Sequence, residues 1–223
     1  QSQLDKLATK DVKIRYVSGG TNGTGIDTNN GHTPTMAFNT LGKLNTTMDN
    51  SGYLSVLLPT QLSEDVSFAQ LNMQVLGSSS RDTSGTTGTV TSTNGSGGSQ
   101  TYTNFTCGSF VKTGVGYVVL EAMRVNTAFT DSSNSTLKVS DMVCNSTTTI
   151  SITGSGGKEF SEQDGGIFSI NNASANVLID TKKRIYTSTS IQTLTAGTLV
   201  LRNCTVVIPQ GVTLTIGTSG ANF

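Results

Sequence analysis

Few side chains in this sequence could do chemistry, and they are scattered. A site that cleaves polysaccharide needs two carboxyl groups facing each other across a sugar, at a separation suited to inversion or retention. The adjacent pair Glu64-Asp65 fails on a strand, where neighbours point to opposite faces. Glu121 and Asp141 are the candidate catalytic pair. When the segments around them are overlaid, they fall one position out of register, so on adjacent coils of a repeating structure they become neighbours. Glu121, flanked by Leu120 and Ala122, points outward. Exposed polar positions are the plainer reading of both residues. The densest acidic run, Glu159 to Asp164, reads as a protruding loop without the spacing of a calcium loop.

Other chemistries have less support. A serine triad needs a histidine base, and the one histidine, His32, sits in a glycine-rich stretch. Cys107, Cys144 and Cys204 lie far apart with no Cys-x-x-Cys, too dispersed for zinc and odd in number for a disulfide framework. They read as small buried hydrophobes. No glycine run has the lysine or spacing of a phosphate loop. The expectation is therefore no catalytic residue beyond the Glu121/Asp141 candidates, no metal site and no cofactor, and an enzyme is not assigned. Sugar binding without catalysis would use exposed aromatic platforms, for which Tyr102, Phe105, Phe110 and Tyr117 are the candidates. Core packing explains their alternation with Thr and Gly equally well.

The elements that must position these residues are strands. Ser, Thr, Asn and Gly supply roughly half of the 223 residues, far from average globular usage. Fourteen basic residues balance fourteen acidic ones. That leaves no field to draw in nucleic acid and none of the net charge that accompanies disorder. Abundant Val, Ile and Thr favour an ordered β protein. The basic cluster Lys182-Lys183-Arg184 reads as a solvated turn. No apolar run approaches the roughly 18 residues of a membrane span. Eight Asn-x-Ser/Thr sequons occur, a weak sign of glycosylation in so Ser/Thr-rich a chain.

In chain order, residues 1–11 form a linker or attachment stub, with Leu4 and Leu7 at helical spacing. Residues 12–50 form a strand around Val12, Ile14 and Tyr16, a Gly/Asn/Thr loop, and a short helix. That helix is expected to take an N-cap at Thr33 to Thr35 beside Pro34, to present Phe38, Leu41, Leu44 and Met48 on one face, and to stop at Asn50-Ser51-Gly52. Residues 51–223 are strand-rich, with a long polar loop at about 78–100. The segment Val118–Asn126 overlays Leu137–Asn145, 19 residues on, and also Leu199–Val207. In each, aliphatics hold the first and third places, a polar residue the fourth, and Met or Cys the sixth. Weaker strands at 150–152, 167–170 and 177–179 fill the gap. A period near 20 residues with Gly/Asn turns is what a β-solenoid requires. The fold class expected is all-β, a right-handed parallel β-helix with a short N-terminal capping helix; the alternative is a β-sandwich.

The stretch Tyr16-Val17-Ser18-Gly19-Gly20, its glycine-rich loop, and Asn30-Gly31-His32-Thr33-Pro34-Thr35-Met36-Ala37-Phe38-Asn39-Thr40-Leu41 resembles the start of pectate-lyase-like right-handed parallel β-helix proteins, among them bacteriophage tail spikes and fibres. The likeness covers about 35 residues, and the later coils agree only in style. It implies a structural or receptor-binding segment of a tail spike or fibre, on the virion or extracellular, and a homotrimer. The implied partners are other tail or baseplate proteins and a host surface polysaccharide or receptor, with neither nucleic acid nor membrane insertion. Two alternatives stand beside it. One is a polysaccharide depolymerase on the same fold, the other a secreted bacterial adhesin. A solenoid end without a cap exposes unpaired edges, so further coils or a distal domain are expected beyond Phe223.

Overall fold

The computed structural model describes residues 13–222, apart from 21–22, 50–52, 58–59, 78–80, 83, 171–174, 182–183, 188–191, 195–196, 212–213 and 217–220. The expected stub at 1–11, the helix stop at 50–52, Lys182 and Lys183, and most of the tail after Ile216 lie outside the described residues. Those described form a parallel β-solenoid. One sheet stacks ten strands: Lys13–Val17, Tyr53–Leu57, Asn72–Gly77, Ser99–Thr103, Tyr117–Glu121, Leu137–Ser140, Gly156–Ser161, Ala175–Asp180, Gly197–Arg202 and Ala221–Asn222. A second sheet of eleven strands runs beside it, and Gln192–Leu194 pairs with Leu214–Ile216 in a third. Every described ladder is parallel. A β-sandwich is built of antiparallel sheets, so that alternative is excluded.

The observed register is the one the repeat implies. Val118 lies opposite Leu137, and Arg124 and Val125 lie opposite Val143 and Cys144. Three rungs further, the column Leu137–Lys158–Val177 reaches Leu199. The fifth place of the repeat is the corner between the sheets. Asn104, Ala122, Asp141, Glu162 and Asn203 all stand there at φ between 50° and 56°. The corner amides continue the ladder: Ala122 N–H donates to Ser140 O at 3.0 Å and Asp141 N–H to Ser161 O at 3.0 Å. Left-handed backbone suits Asn and Asp but strains Ala and Glu, so the stacking at this corner overrides local preference.

Inside, period-2 alternation fills the core. A ladder of rings runs up it: Phe68 to Tyr102 at 6.2 Å, then Phe110 at 5.3 Å, Phe129 at 5.8 Å, Phe160 at 6.0 Å and Phe168 at 5.4 Å between centroids. Cys107 and Cys144 are buried free thiols on either side of Val125, and Cys204 is half-buried. Among the described residues, no helix is long and apolar enough to cross a membrane.

Two local expectations are corrected. The polar stretch expected as a long loop at 78–100 carries strands in its described part: Ser84–Thr86, Thr89–Ser92 and the start of Ser99–Thr103 lie within the stack. Ser84, Thr86, Ser92 and Gln100 face inward there and are buried, so the hydrophobic alternation that marks a strand is missing although the backbone pairs. The acidic run is not a protruding loop either. Glu159 lies on Gly156–Ser161 beside buried Phe160, Glu162 turns the corner, and Asp164 bridges to Val143.

The capping segment closes the N-terminal end with a shifted helix. Pro34–Met36 is a single 3-10 turn, and Thr33 makes no side-chain cap. Phe38 is held extended, donating N–H to Tyr16 O and accepting at its own carbonyl from Ser18 N–H, both at 2.9 Å. The α-helix is Leu41–Thr47, with Thr40 as N-cap accepting from Lys43 N–H at 3.0 Å. The Glu64 carboxylate completes the cap, accepting from Leu41 N–H at 2.5 Å and Gly42 N–H at 3.1 Å. That assigns Glu64 a structural role and joins the helix to the first coils. Phe38, Leu41, Leu44 and Met48 are all buried, as expected of a lid. Gly19 is required here, because a Cβ on it would lie 1.7 Å from Asn39 O.

Candidate functional site

Two polar regions stand out, one inside the stack and one on its flank. The interior one arises where charged residues take inward places in apolar columns. On the second sheet Ser92, Lys112, Asp131 and Ile152 lie in successive register. On the first sheet Gln100 and Lys158 interrupt the column Met73–Gln100–Val118–Leu137–Lys158–Val177. Lys112, Asp131 and Lys158 are 0–1% exposed, where isolated charges are very costly.

Each charge is compensated. Lys112 Nζ donates to Gly114 O at 2.7 Å, Ser133 Oγ at 2.8 Å and Ser135 Oγ at 2.5 Å. Lys158 Nζ donates to Ser133 O at 3.0 Å and Ser135 O at 2.7 Å, and lies 2.8 Å from Asp131 Oδ2. Asp131 Oδ1 accepts from Ser133 N–H at 2.8 Å and Ser133 Oγ–H at 2.6 Å. Three donors on the Lys112 ammonium meet three acceptors, and Lys158 Nζ finds its third hydrogen-bond acceptor in Ser133 Oγ at 3.3 Å. Burial still pushes Lys112 down to about 8, with Asp131 raising it and Lys158 lowering it further. Burial also lowers Lys158, and the adjoining Asp131 opposes that. One rung earlier a neutral network mirrors this one: Ser92 Oγ–H and Tyr102 OH donate to Gln100 Oε1 at 2.7 and 2.9 Å.

The flank carries an open cleft of about 190 Å³, lined by Gln61, Asp82, Ser84, Gly85, Thr86, Thr87, Thr106, Arg124 and Asn126. Arg124 Nε donates to Asp82 Oδ1 at 2.6 Å. Next to it, Arg81 donates to Asp141 O at 2.7 Å and to Asp141 Oδ2 at 2.8 Å, tying the turn that carries Asp82 to the corner three rungs on. These ion pairs are partly exposed and individually contribute under about 1 kcal/mol. A guanidinium, a carboxylate and two amides, from Arg124, Asp82, Gln61 and Asn126, offer hydrogen bonds to a hydroxylated ligand.

The sequence candidates fall as follows. Glu121 is exposed and pairs in register with Ser140, so Asp141 stands one place beyond, as the overlay implies. Asp141 is engaged by Arg81. Tyr102, Phe105 and Phe110 are 0–1% exposed and are core, not platforms for a sugar; strand parity turns Tyr102 and Phe110 inward, and Phe105 is buried at the corner between Ser99–Thr103 and Thr106–Lys112. Tyr117 alone of the four is on the surface, 37% exposed beside Val115 at 52%. Sequence reasoning missed Lys112, Asp131 and Lys158. The available signal was their parity, since each stands two places from an inward ring: Phe110-x-Lys112, Phe129-x-Asp131 and Lys158-x-Phe160. Among the described residues no group of three His, Cys, Asp or Glu could hold a metal ion. Compared with known proteins, the chain matches no family model, no curated protein and no solved structure.

Proposed function

We propose that the chain is a shaft segment of a tail spike or fibre, on a virion or otherwise extracellular, that meets a host surface glycan or receptor through its flank. The observation that carries this reading is the ten-rung parallel sheet over a filled core, with a lid at its N-terminal end. Ten rungs at about 4.8 Å each give a stiff rod roughly 45 Å long. Such a body transmits position and displays side chains at fixed spacing. The Asp82/Arg124 cleft is the place on it best furnished for a hydroxylated ligand. The resemblance of the capping segment to phage spikes adds a homotrimer and attachment to other tail proteins.

Electron microscopy with light scattering on the purified chain tests the shaft, and glycan-array binding tests the cleft. Three-fold rods support the reading, and Arg124→Ala then weakens glycan binding about tenfold through loss of a charge-assisted contact. Compact monomers that bind no glycan contradict it.

A further inference from the structure

The geometry points to a covalent cross-link inside the stack, an amide between Lys158 Nζ and Asp131 Cγ. It goes beyond the shaft reading and does not depend on what the shaft binds. Three observations converge on the pair. Nζ lies 2.8 Å from Asp131 Oδ2 with both side chains 0% exposed. Oδ2 makes no hydrogen bond although buried, the 2.8 Å approach of Nζ lying outside hydrogen-bond geometry. Oδ1, in contrast, is held by Ser133 N–H at 2.8 Å and Ser133 Oγ–H at 2.6 Å. One carboxylate oxygen is thus fixed by two donors, and the other faces an amine.

That asymmetry is what acyl transfer to nitrogen requires. Two donors aimed at the oxygen that takes up negative charge constitute an oxyanion hole. Lys112 is a positioning residue: its ammonium donates to Ser133 Oγ at 2.8 Å, which strengthens that hydroxyl as a donor to Oδ1. In the dry interior an ion pair is poorly solvated, and burial favours the neutral amine of Lys158. Across the 2.8 Å contact, rotation of the ammonium aims one N–H at Oδ2 and that proton passes over, giving an amine and a carboxylic acid. The nitrogen lone pair then attacks Cγ, and charge collects on Oδ1 between its two donors. The Cγ–Oδ2 bond breaks, and Oδ2 leaves as water with its own proton and a second one from nitrogen. No oxidant or co-reactant enters; one C–N bond replaces one C–O bond. The product ties two strands lying two rungs apart, one in each main sheet.

Intact-mass spectrometry of the purified, folded chain decides this. The expected mass is lighter than the sequence mass by one water, with a branched tryptic peptide joining 125–138 to 139–182 because trypsin no longer cuts after Lys158. Asp131→Asn reaches the same final mass as the cross-linked parent, losing ammonia in place of water. Lys158→Arg and Asp131→Ala retain their full sequence masses. Soluble, folded parent protein at its full sequence mass, cut by trypsin after Lys158, overturns the proposal and leaves the pair as an ion pair.

Discussion

Lys112 offers a test of the interior chemistry that does not depend on function. Burial holds its ammonium down at about 8, against 10.5 in an exposed chain. At about 1.4 kcal/mol per pH unit, the charged form costs the fold about 3 kcal/mol as an upper bound. Between those two values the unfolded chain binds more protons than the folded one, so stability rises with pH through that window. Below pH 8 the cost is fully present, and above about 10.5 it is gone. Lys112→Met removes both the cost and the donor to Gly114 O, whose loss as a buried acceptor's partner costs about 1–3 kcal/mol. Near pH 7 the two effects oppose, and the variant lies within about 2 kcal/mol of the parent on those same magnitudes. From pH 7.5 to 10 the parent gains on the variant by about 1–3 kcal/mol. Urea unfolding followed by circular dichroism at several pH values reads the difference, and the tyrosines are common to both proteins. A difference that stays flat with pH, or moves toward the variant, refutes the buried-ammonium reasoning.

Other outcomes follow from the packing. Phe129→Ala removes the ring between Phe110 and Phe160 and destabilises the chain by about 3–5 kcal/mol in the same unfolding assay. Glu64→Ala leaves the Leu41 and Gly42 amides without their carboxylate; about 1–2 kcal/mol is lost, and hydrogen exchange accelerates first in the capping helix. In thiol titration at pH 8, Cys204 reacts before Cys107 and Cys144 because the latter two are buried, and burial also pushes Cys144 up to about 11. Equal rates for all three thiols would mean that the interior is open.

The repeat was legible because its corner and inward places carry residues of consistent type. Val118/Leu137/Leu199 and Met123/Met142/Cys204 can be matched by eye, and the ladder joins the first set in one column as matched. Rungs at 84–86 and 89–92 were not legible, because Thr86 and Ser92 satisfy their inward polarity through hydrogen bonds that only the stack supplies. The helix start was misplaced for a related reason. Thr33-Pro34 carries the local capping signal, but pairing of Phe38 with Val17 holds the chain extended until Thr40. Partner residues distant in sequence decide these points. Glu64 caps a helix 23 residues before it, and Lys158 completes a network begun at Lys112. Single-residue type led to the aromatics as a sugar platform, whereas strand parity sends Tyr102 and Phe110 inward and the corner after Thr103 buries Phe105.

The stacking register underlies every other statement, and engineered disulfides measure it directly. Val119 lies opposite Lys138, and Lys138 opposite Glu159, on the outward face of the ten-stranded sheet. Adjacent rungs lie about 4.8 Å apart, within disulfide reach, and two rungs about 9.6 Å, beyond it. Val119→Cys with Lys138→Cys should therefore oxidise readily in the folded chain, while Val119→Cys with Glu159→Cys should not. Efficient closure of the second pair, or failure of the first in folded protein, would contradict the solenoid and all that rests on it.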